Sequence, residues 1–551
     1  MHFIVKKLLF FPLLLLASFQ LAAQKKPVTI ASTKPKLVVG IVVDQMRWDF
    51  LYRYQARYGN TGFKRLLNEG FTCENAMIPY APTVTAIGHA TVYTGTVPNI
   101  HGMTGNAFYD SKKGKTVYCT DDADAKGVGS NSAKGKMSPK NLLANTIGDE
   151  LHIATNYQSK VIGVAIKDRG GILPAGHSAN AAYWYDESIG KWITSTYYMD
   201  SLPQWMNNFN NRNLTDSFYG LGWNTMYPIN TYTQSTGDEK DYEGKPFGNE
   251  QKGFPYSFDK FKGRQYGSIA TTPYGNSMTL ELAKTIIAGE RMGNNPNNVT
   301  DLLCVSLSST DYVGHSFGPN SIETEDTYLR LDKDLGNFLS YLDATVGKGQ
   351  YTVFLTADHG VAHIPGYLRE HKMPGTSFDD SELRKTLNSK LKEKFGVDSL
   401  IVAMYNYQAH IDHPRMHSNK LDEKAVIEYV THICRMDKDV AHAFPLMGMD
   451  EYPLNVTVRE RIKNGYYPFR SGDVQFILKP GSIDGGKTGT THGLWNPYDS
   501  HIPMVFMGWG IKQGKTRRET YMTDFAPTIC ALLNIQMPNG CVGKVVEEVL
   551  K

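Results

Sequence analysis

The run Leu37-Val38-Val39-Gly40-Ile41-Val42-Val43, which stops at Asp44, constrains this chain most. It is mostly β-branched and offers no polar face. Such a segment reads as a strand buried on both sides, as in a parallel sheet. The pattern recurs. Val161 to Ile166 ends at Lys167, Leu302 to Leu307 runs towards Asp311, and Thr352 to Thr356 runs into Asp358. Pro503 to Met507 is a further apolar run, ending at Gly508. Helical periodicity lies between, over 141–153, 277–291, 324–345 and 523–533. Strands alternating with helices predict an α/β fold with a doubly wound, mostly parallel central sheet. Two stretches interrupt the alternation. About 186–272 is rich in Tyr, Asn, Gly and Trp and predicts a loop-rich cap insertion. About 375–481 has helical patterns of its own at 381–395 and 421–435, with strand-like pieces, and predicts an accessory α+β subdomain.

In open α/β sheets ligands bind outside the carboxyl ends of the strands. Asp44, Lys167, Asp311 and Asp358 all stand just past such ends. His315 follows Asp311 at i, i+4, so one ion can take both side chains. His359 adjoins Asp358, and His492 stands in Thr-Thr-His-Gly. Carboxylate oxygens mixed with imidazole nitrogens suit zinc. Six ligands serve two ions with three protein ligands each, and the positions left open mark a catalytic site. Each piece alone is ordinary, since strand-end Asp residues are commonly turn or cap residues and His-Gly recurs at His101. The signal is their coincidence at one sheet edge.

Thr83 and Thr85, in Pro-Thr-Val-Thr-Ala-Ile-Gly-His, precede a helical stretch that Gly95 can terminate. A hydroxyl there meets free backbone N–H groups and the positive end of the helix dipole, which favours bound phosphate. Plain N-capping is the alternative. Asn106 can serve as an Asx-turn residue. Lys167 and Arg169 flank Asp168; such cations are often merely solvated, yet Arg binds phosphate in bidentate fashion.

Taken together the motifs resemble the alkaline phosphatase superfamily. They resemble more closely the bacterial phosphate-irrepressible alkaline phosphatases of the PafA type, kin to the nucleotide pyrophosphatase/phosphodiesterases. The resemblance is carried by Val-Val-Asp44-Gln-Met-Arg, Pro82-Thr-Val-Thr85-Ala-Ile-Gly-His89, Gly105-Asn106, Lys167-Asp-Arg169, Asp311-Tyr-Val-Gly-His315, Asp358-His359-Gly and Thr491-His492-Gly. It covers nearly the whole chain after the leader. It implies a two-zinc phosphate monoesterase with Asp311, His315 and His492 on one ion and Asp44, Asp358 and His359 on the other. It places the nucleophile on Thr85, hence a phosphothreonine intermediate, and sets Asn106, Lys167 and Arg169 on the phosphoryl oxygens. The Lys-x-Arg pair, absent from the diesterase branch, favours monoesters over diesters. His89, His101, His177 and His363 lie near these motifs and are expected to pack or support.

The chain starts Met-His-Phe-Ile-Val-Lys-Lys, continues apolar to Ala17 and exits through Ala22 and Ala23. That is a secretory signal peptide over 1–23, followed by a polar linker over 24–36 and an alkaline-phosphatase-like catalytic domain over 37–551. A periplasmic or secreted protein is expected, with no membrane span in the mature chain. In an oxidising compartment Cys530–Cys541 and Cys73–Cys119 are pairs to consider, while Cys304 reads as a buried thiol. Lys and Arg number 58 against 54 Asp and Glu, a net of +4, which excludes a globally basic nucleic-acid binder. The expected partners are small-molecule phosphate monoesters, with no nucleic acid, and the expected state is a monomer. The rivals are a diesterase or nucleotide pyrophosphatase with the same metals, whose base the aromatic cap could stack, and a catalytically silent metal- or glycan-binding protein. A sulfatase lacks support, because no Cys-x-Pro-x-Arg segment is present.

Overall fold

Leu37–Val43 is a strand with every residue buried. It pairs in parallel with Tyr351–Thr356 on one side and Asp301–Leu307 on the other. Val161–Ala165 and then Ala181–Asp186 continue the parallel array beyond Asp301–Leu307. The computed structural model describes residues 34–551, and within them these strands form the middle of an 11-stranded sheet. The signal peptide read over 1–23 lies outside the described residues. Direction reverses towards both edges, as when Lys191–Ser195 runs antiparallel to Ala181–Asp186. Met504–Gly508 pairs antiparallel with Tyr351–Thr356, so the Pro503 run is a strand that departs from the parallel series. Burial on both faces produces the same apolar run in either direction, and sequence periodicity cannot tell them apart.

Tyr274–Glu290, Ile322–Leu342 and Phe525–Leu533 are helices near their expected bounds. The helix expected over 141–153 is shorter, Ile147–Ala154. Thr146 and Asp149 close a capping box there, each side chain accepting the other's backbone N–H, and so fix the start. Leu142 and Leu143 mimic the period ahead of that cap.

Within 186–272, the short helices Gln204–Asn210 and Leu214–Tyr219 are joined by long loops. Trp223, Phe247, Tyr256 and Phe258 are buried together there. Trp223 meets Phe254 edge-on at 5.2 Å and Phe247 meets Phe258 at 4.9 Å. These rings form a core and are not free to stack a base. Within 375–481, strands Ile401–Tyr405, Gln408–Ile411, Val474–Leu478 and Val440–Pro445 form a four-stranded sheet in that order. Helices Asp380–Phe395 and Glu423–Met436 share with it a separate apolar nucleus that includes Leu387, Leu391, Val430 and Phe476.

The considered disulfides are not formed, and all six cysteines are free thiols. Cys73 lies on the Phe71–Met77 strand towards one edge of the sheet, against Thr520, whereas Cys119 lies beside Asp168 at the end of the Val161 strand. The sheet order separates them. Burial pushes both thiols up to about 12. Cys530 is buried in the Phe525–Leu533 helix, and Cys541 is half-buried against Gly95. Cys304 is buried, as expected.

The Thr85–Thr94 helix packs unusually close to a strand end. A Cβ on Gly88 would collide with the backbone of Asp358. Gly88→Ala is expected to destabilise the protein by about 1–3 kcal/mol, read as a lower denaturant midpoint at unchanged slope. An unchanged midpoint would show that the helix yields freely.

Candidate active site

The register of the parallel strands builds the site. Val42 stands opposite Thr356 and Ser306, and Ser306 stands opposite Ala165. Two residues past Val42 and Thr356, at the same level, come Asp44 and Asp358. Lys167 follows the Val161 strand, and Asp311 enters from the first turn of the Ser309–Phe317 helix. Asp44 and Asp358 are fully buried, and Asp311 is 3% exposed.

All six expected ligands fall into two groups, Asp311 with His315 and His492, and Asp44 with Asp358 and His359. The donor atoms within each group lie within 4.8 Å of one another. His315 Nε2 is 3.1 Å and His492 Nε2 3.7 Å from the same oxygen of Asp311. His359 Nε2 is 3.3 Å from Asp358 and 3.6 Å from Asp44. The His359 and His492 rings stack at 3.5 Å, which joins the groups side by side.

The histidine tautomers follow from their partners. Nδ1 of His315, His359 and His492 contacts the backbone carbonyls of Thr490, Gly360 and Thr83 at 2.7, 2.9 and 2.6 Å. A carbonyl only accepts, so each Nδ1 donates and each Nε2 is turned to its group; against the pull of burial, the Asp311 carboxylate raises His315 above the usual imidazole range. Burial lowers His359 to about 4 and holds His492 well below its usual value, keeping both rings neutral. Oδ1 of Asp44 and Oδ2 of Asp358 are buried without a hydrogen-bond partner. Burial, then the charge of Asp44, raises Asp358 well above the carboxylate range. Burial also opposes ionisation of Asp311, but His315 and Lys167 outweigh it and hold Asp311 well below that range. Orphaned carboxylate oxygens beside bare imidazole nitrogens are the donor set a divalent cation satisfies. The residues present therefore fit two metal ions.

Lys167 donates to Asp44 at 2.7 Å and Asp311 at 2.5 Å, one carboxylate from each group. Gln45 also ties the groups together. Its backbone N–H donates to Asp358 at 3.0 Å and its side-chain amide to Asp311 at 2.7 Å. Sequence reasoning missed Gln45, although it directly follows a ligand. Its φ of 68° is left-handed, and Gly314 leaves room for it, since a Cβ there would strike the Gln45 amide oxygen.

Thr85 is the first residue of its helix, and Gly95 ends that helix with a φ of 67°. The preceding Val84 caps nothing through its side chain. Thr85 Oγ1 lies 3.4 Å from His359 Nε2, whereas the Thr83 hydroxyl donates to the Leu494 carbonyl at 2.8 Å. Of the two hydroxyls only that of Thr85 faces the ligand groups. Asn106 accepts the Ala86 N–H at 2.9 Å, which sets its amide beside Thr85. Arg169 is half-buried and donates to the Tyr118 hydroxyl at 2.9 Å. Tyr118 and Thr120 each donate to Asp168 at 2.7 Å, a chain of contacts the sequence did not signal. The Arg169 charge is felt at Lys167 and at His89.

His89 contacts the Thr85 carbonyl at 2.9 Å and the Ser306 hydroxyl at 2.8 Å, and so supports the start of the helix. His101 contacts Thr91, His177 contacts the Leu142 carbonyl, and His363 contacts Asn320; none of the three joins a ligand group.

A family model for type I phosphodiesterase/nucleotide pyrophosphatase matches residues 38–499. The chain is 50% identical to alkaline phosphatase PafA of Elizabethkingia meningoseptica, over 97% of its own length and 98% of the relative's. It is 53% identical to a Myroides odoratus protein named calcium-transporting ATPase, over 94% of its own length and 95% of the relative's. The crystal structure of wild-type alkaline phosphatase PafA matches with a TM-score of 0.91 at 50% identity, covering 94% of this chain and 99% of that one. The chain belongs to the type I phosphodiesterase/nucleotide pyrophosphatase family and, within that superfamily, to the PafA-type alkaline phosphatases.

Proposed function

We propose that this phosphate monoester hydrolase works at two zinc ions through a phosphothreonine on Thr85. Monoesterase activity itself follows from near-full-length identity to alkaline phosphatases. The observation that carries the mechanism is the Thr85 hydroxyl, placed at a helix start and 3.4 Å from His359 among the two ligand groups. Zinc held by Asp44, Asp358 and His359, and by Asp311, His315 and His492, would supply the charge that makes a threonine nucleophilic and stabilises a leaving oxygen. Thr85 attacks phosphorus in line and the alcohol departs from the far side. Water then frees phosphate from the phosphothreonine. Asn106, Lys167 and Arg169 hold the transferring oxygens, where the charge develops. The reading keeps 37–551 as one catalytic domain with insertions near 186–272 and 375–481, exported behind the leader at 1–23 and acting as a monomer.

Lys167 and Arg169 favour a monoester, whose phosphoryl group carries more charge than a diester's. The diesterase reading draws no support from Trp223, Phe247, Tyr256 and Phe258 of the cap, because these rings are buried against one another. The silent-binder reading expects a lost ligand or nucleophile, whereas the sequence keeps a residue of the required type at each of those positions. The ATP cleavage in the Myroides relative's name is the same class of chemistry. The transport in that name has no counterpart among the described helices, none of which is long and apolar enough to cross a membrane.

Thr85→Ala should lower monoester turnover by at least about a thousandfold while metal content by elemental analysis stays unchanged. Full turnover in that variant would move the nucleophile elsewhere. Lys167→Ala with Arg169→Ala should cut kcat/KM for monoesters by about a hundredfold or more, and for diesters far less. Equal losses would make the pair a support of the fold only. Chelation should abolish turnover and zinc restore it; restoration by manganese or iron but not zinc would reassign the metal.

A further inference from the structure

In-line attack by Thr85 from the side of Asp44, Asp358 and His359 sends the alcohol towards Asp311, His315 and His492. A pocket of about 300 Å³ opens there, with Asn106, His315 and His492 in its wall. The rest of its wall includes Asp380, Met404, Tyr407 and Asp484, which come from the four-stranded sheet and its neighbours within and just after 375–481. No lysine or arginine lines it. Asp484 ends the Ser482–Asp484 strand, and Asp380 opens the Asp380–Phe395 helix. The Asp380 backbone N–H donates to Asp484 at 3.3 Å, which fixes the two carboxylates as neighbours. Burial, then the charge of Asp380, pushes Asp484 up to about 6, with no lysine or arginine opposing it. Asp484 is therefore ionised at alkaline pH. The Tyr407 hydroxyl reaches the His492 carbonyl at 3.5 Å, so its ring stands between the ligand group and the acidic end of the pocket.

Ligand charge thus changes along one short path. The inner end, with its metal groups, Lys167 and Arg169, suits an anion. The outer end suits a cation with an apolar surround. A cationic head there gains from two carboxylates and from an aromatic face.

We propose that this pocket selects phosphate monoesters whose alcohol carries an ammonium or quaternary ammonium head, seated against Asp380 and Asp484 beside Tyr407. The inference rests on the monoesterase reading above and adds the class of alcohol to it. It also gives the 375–481 insertion a role, as the wall that reads the leaving group.

The test compares choline phosphate with 3,3-dimethylbutyl phosphate, which puts carbon in place of the quaternary nitrogen at the same shape. The wild type should show the higher kcat/KM for choline phosphate. Asp380→Asn with Asp484→Asn should lower that ratio about tenfold, the scale of two partly solvated ion pairs, while 3,3-dimethylbutyl phosphate is turned over undiminished. The same variant should gain on 3-phosphoglycerate, whose alcohol half is anionic. A wild-type ratio of one or below overturns the proposal, and this comparison stands even if the double variant fails to fold. A ratio above one that the double variant leaves unchanged overturns the assignment to these carboxylates. Turnover of neither ester by the wild type would sink the monoesterase reading and this inference with it.

Discussion

Three carboxylates, Asp44, Asp311 and Asp358, are held almost without solvent at one edge of the sheet. Burying like charges so close together is expensive unless each is paired or coordinates a cation. The surrounding structure is arranged to meet that demand. Lys167 bridges Asp44 and Asp311, Gln45 bridges Asp358 and Asp311, and histidine nitrogens fill in between. Two carboxylate oxygens still lack a partner. A cluster left in that condition is poised for multivalent cations.

The cluster in turn depends on strand register. The Leu37 and Tyr351 strands pair in parallel, so residues at equal distance past their ends sit side by side. A slip of one residue would turn the whole apolar run to its other face and move Asp44 away from Asp358. Full burial of both strands makes that slip costly. The Thr85 helix is then clamped onto the same edge by Gly88 against the Asp358 backbone and by Asn106 on the Ala86 N–H. The position of Thr85 is thus set by contacts made to the backbone of its own helix.

Much of this was legible in the residues. The buried runs ending at Asp44, Lys167 and Asp358 announced both the sheet and its functional edge. The six candidate ligand residues lie in two groups, because a strand end and an i, i+4 helical spacing each fix side-chain direction locally. The misses have physical causes. The Met504 strand is antiparallel, and burial leaves no mark of direction. The Ile147 helix starts late because a two-residue cap outweighs apolar periodicity. Trp223, Phe247, Tyr256 and Phe258 of the cap looked available for stacking but pack on one another, since exposing that much apolar surface is unfavourable. Cys73 and Cys119 looked pairable in sequence but are parted by strand order.

By itself the sequence determined the α/β alternation, the candidate ligand residues and the hydroxyls on offer, since these depend on residue type and short-range spacing. Between the hydroxyls the family resemblance pointed to Thr85, and the tertiary structure adds where each one faces. Thr83 is spent on the Leu494 carbonyl, a contact 411 residues away in sequence, and Thr85 is left facing His359. It alone showed that Gln45 and Lys167 tie the two ligand groups together. It alone brought Asp380, Tyr407 and Asp484 to the mouth of the site. Those placements depend on chain crossings and long-range packing, and neither writes a local pattern into the sequence.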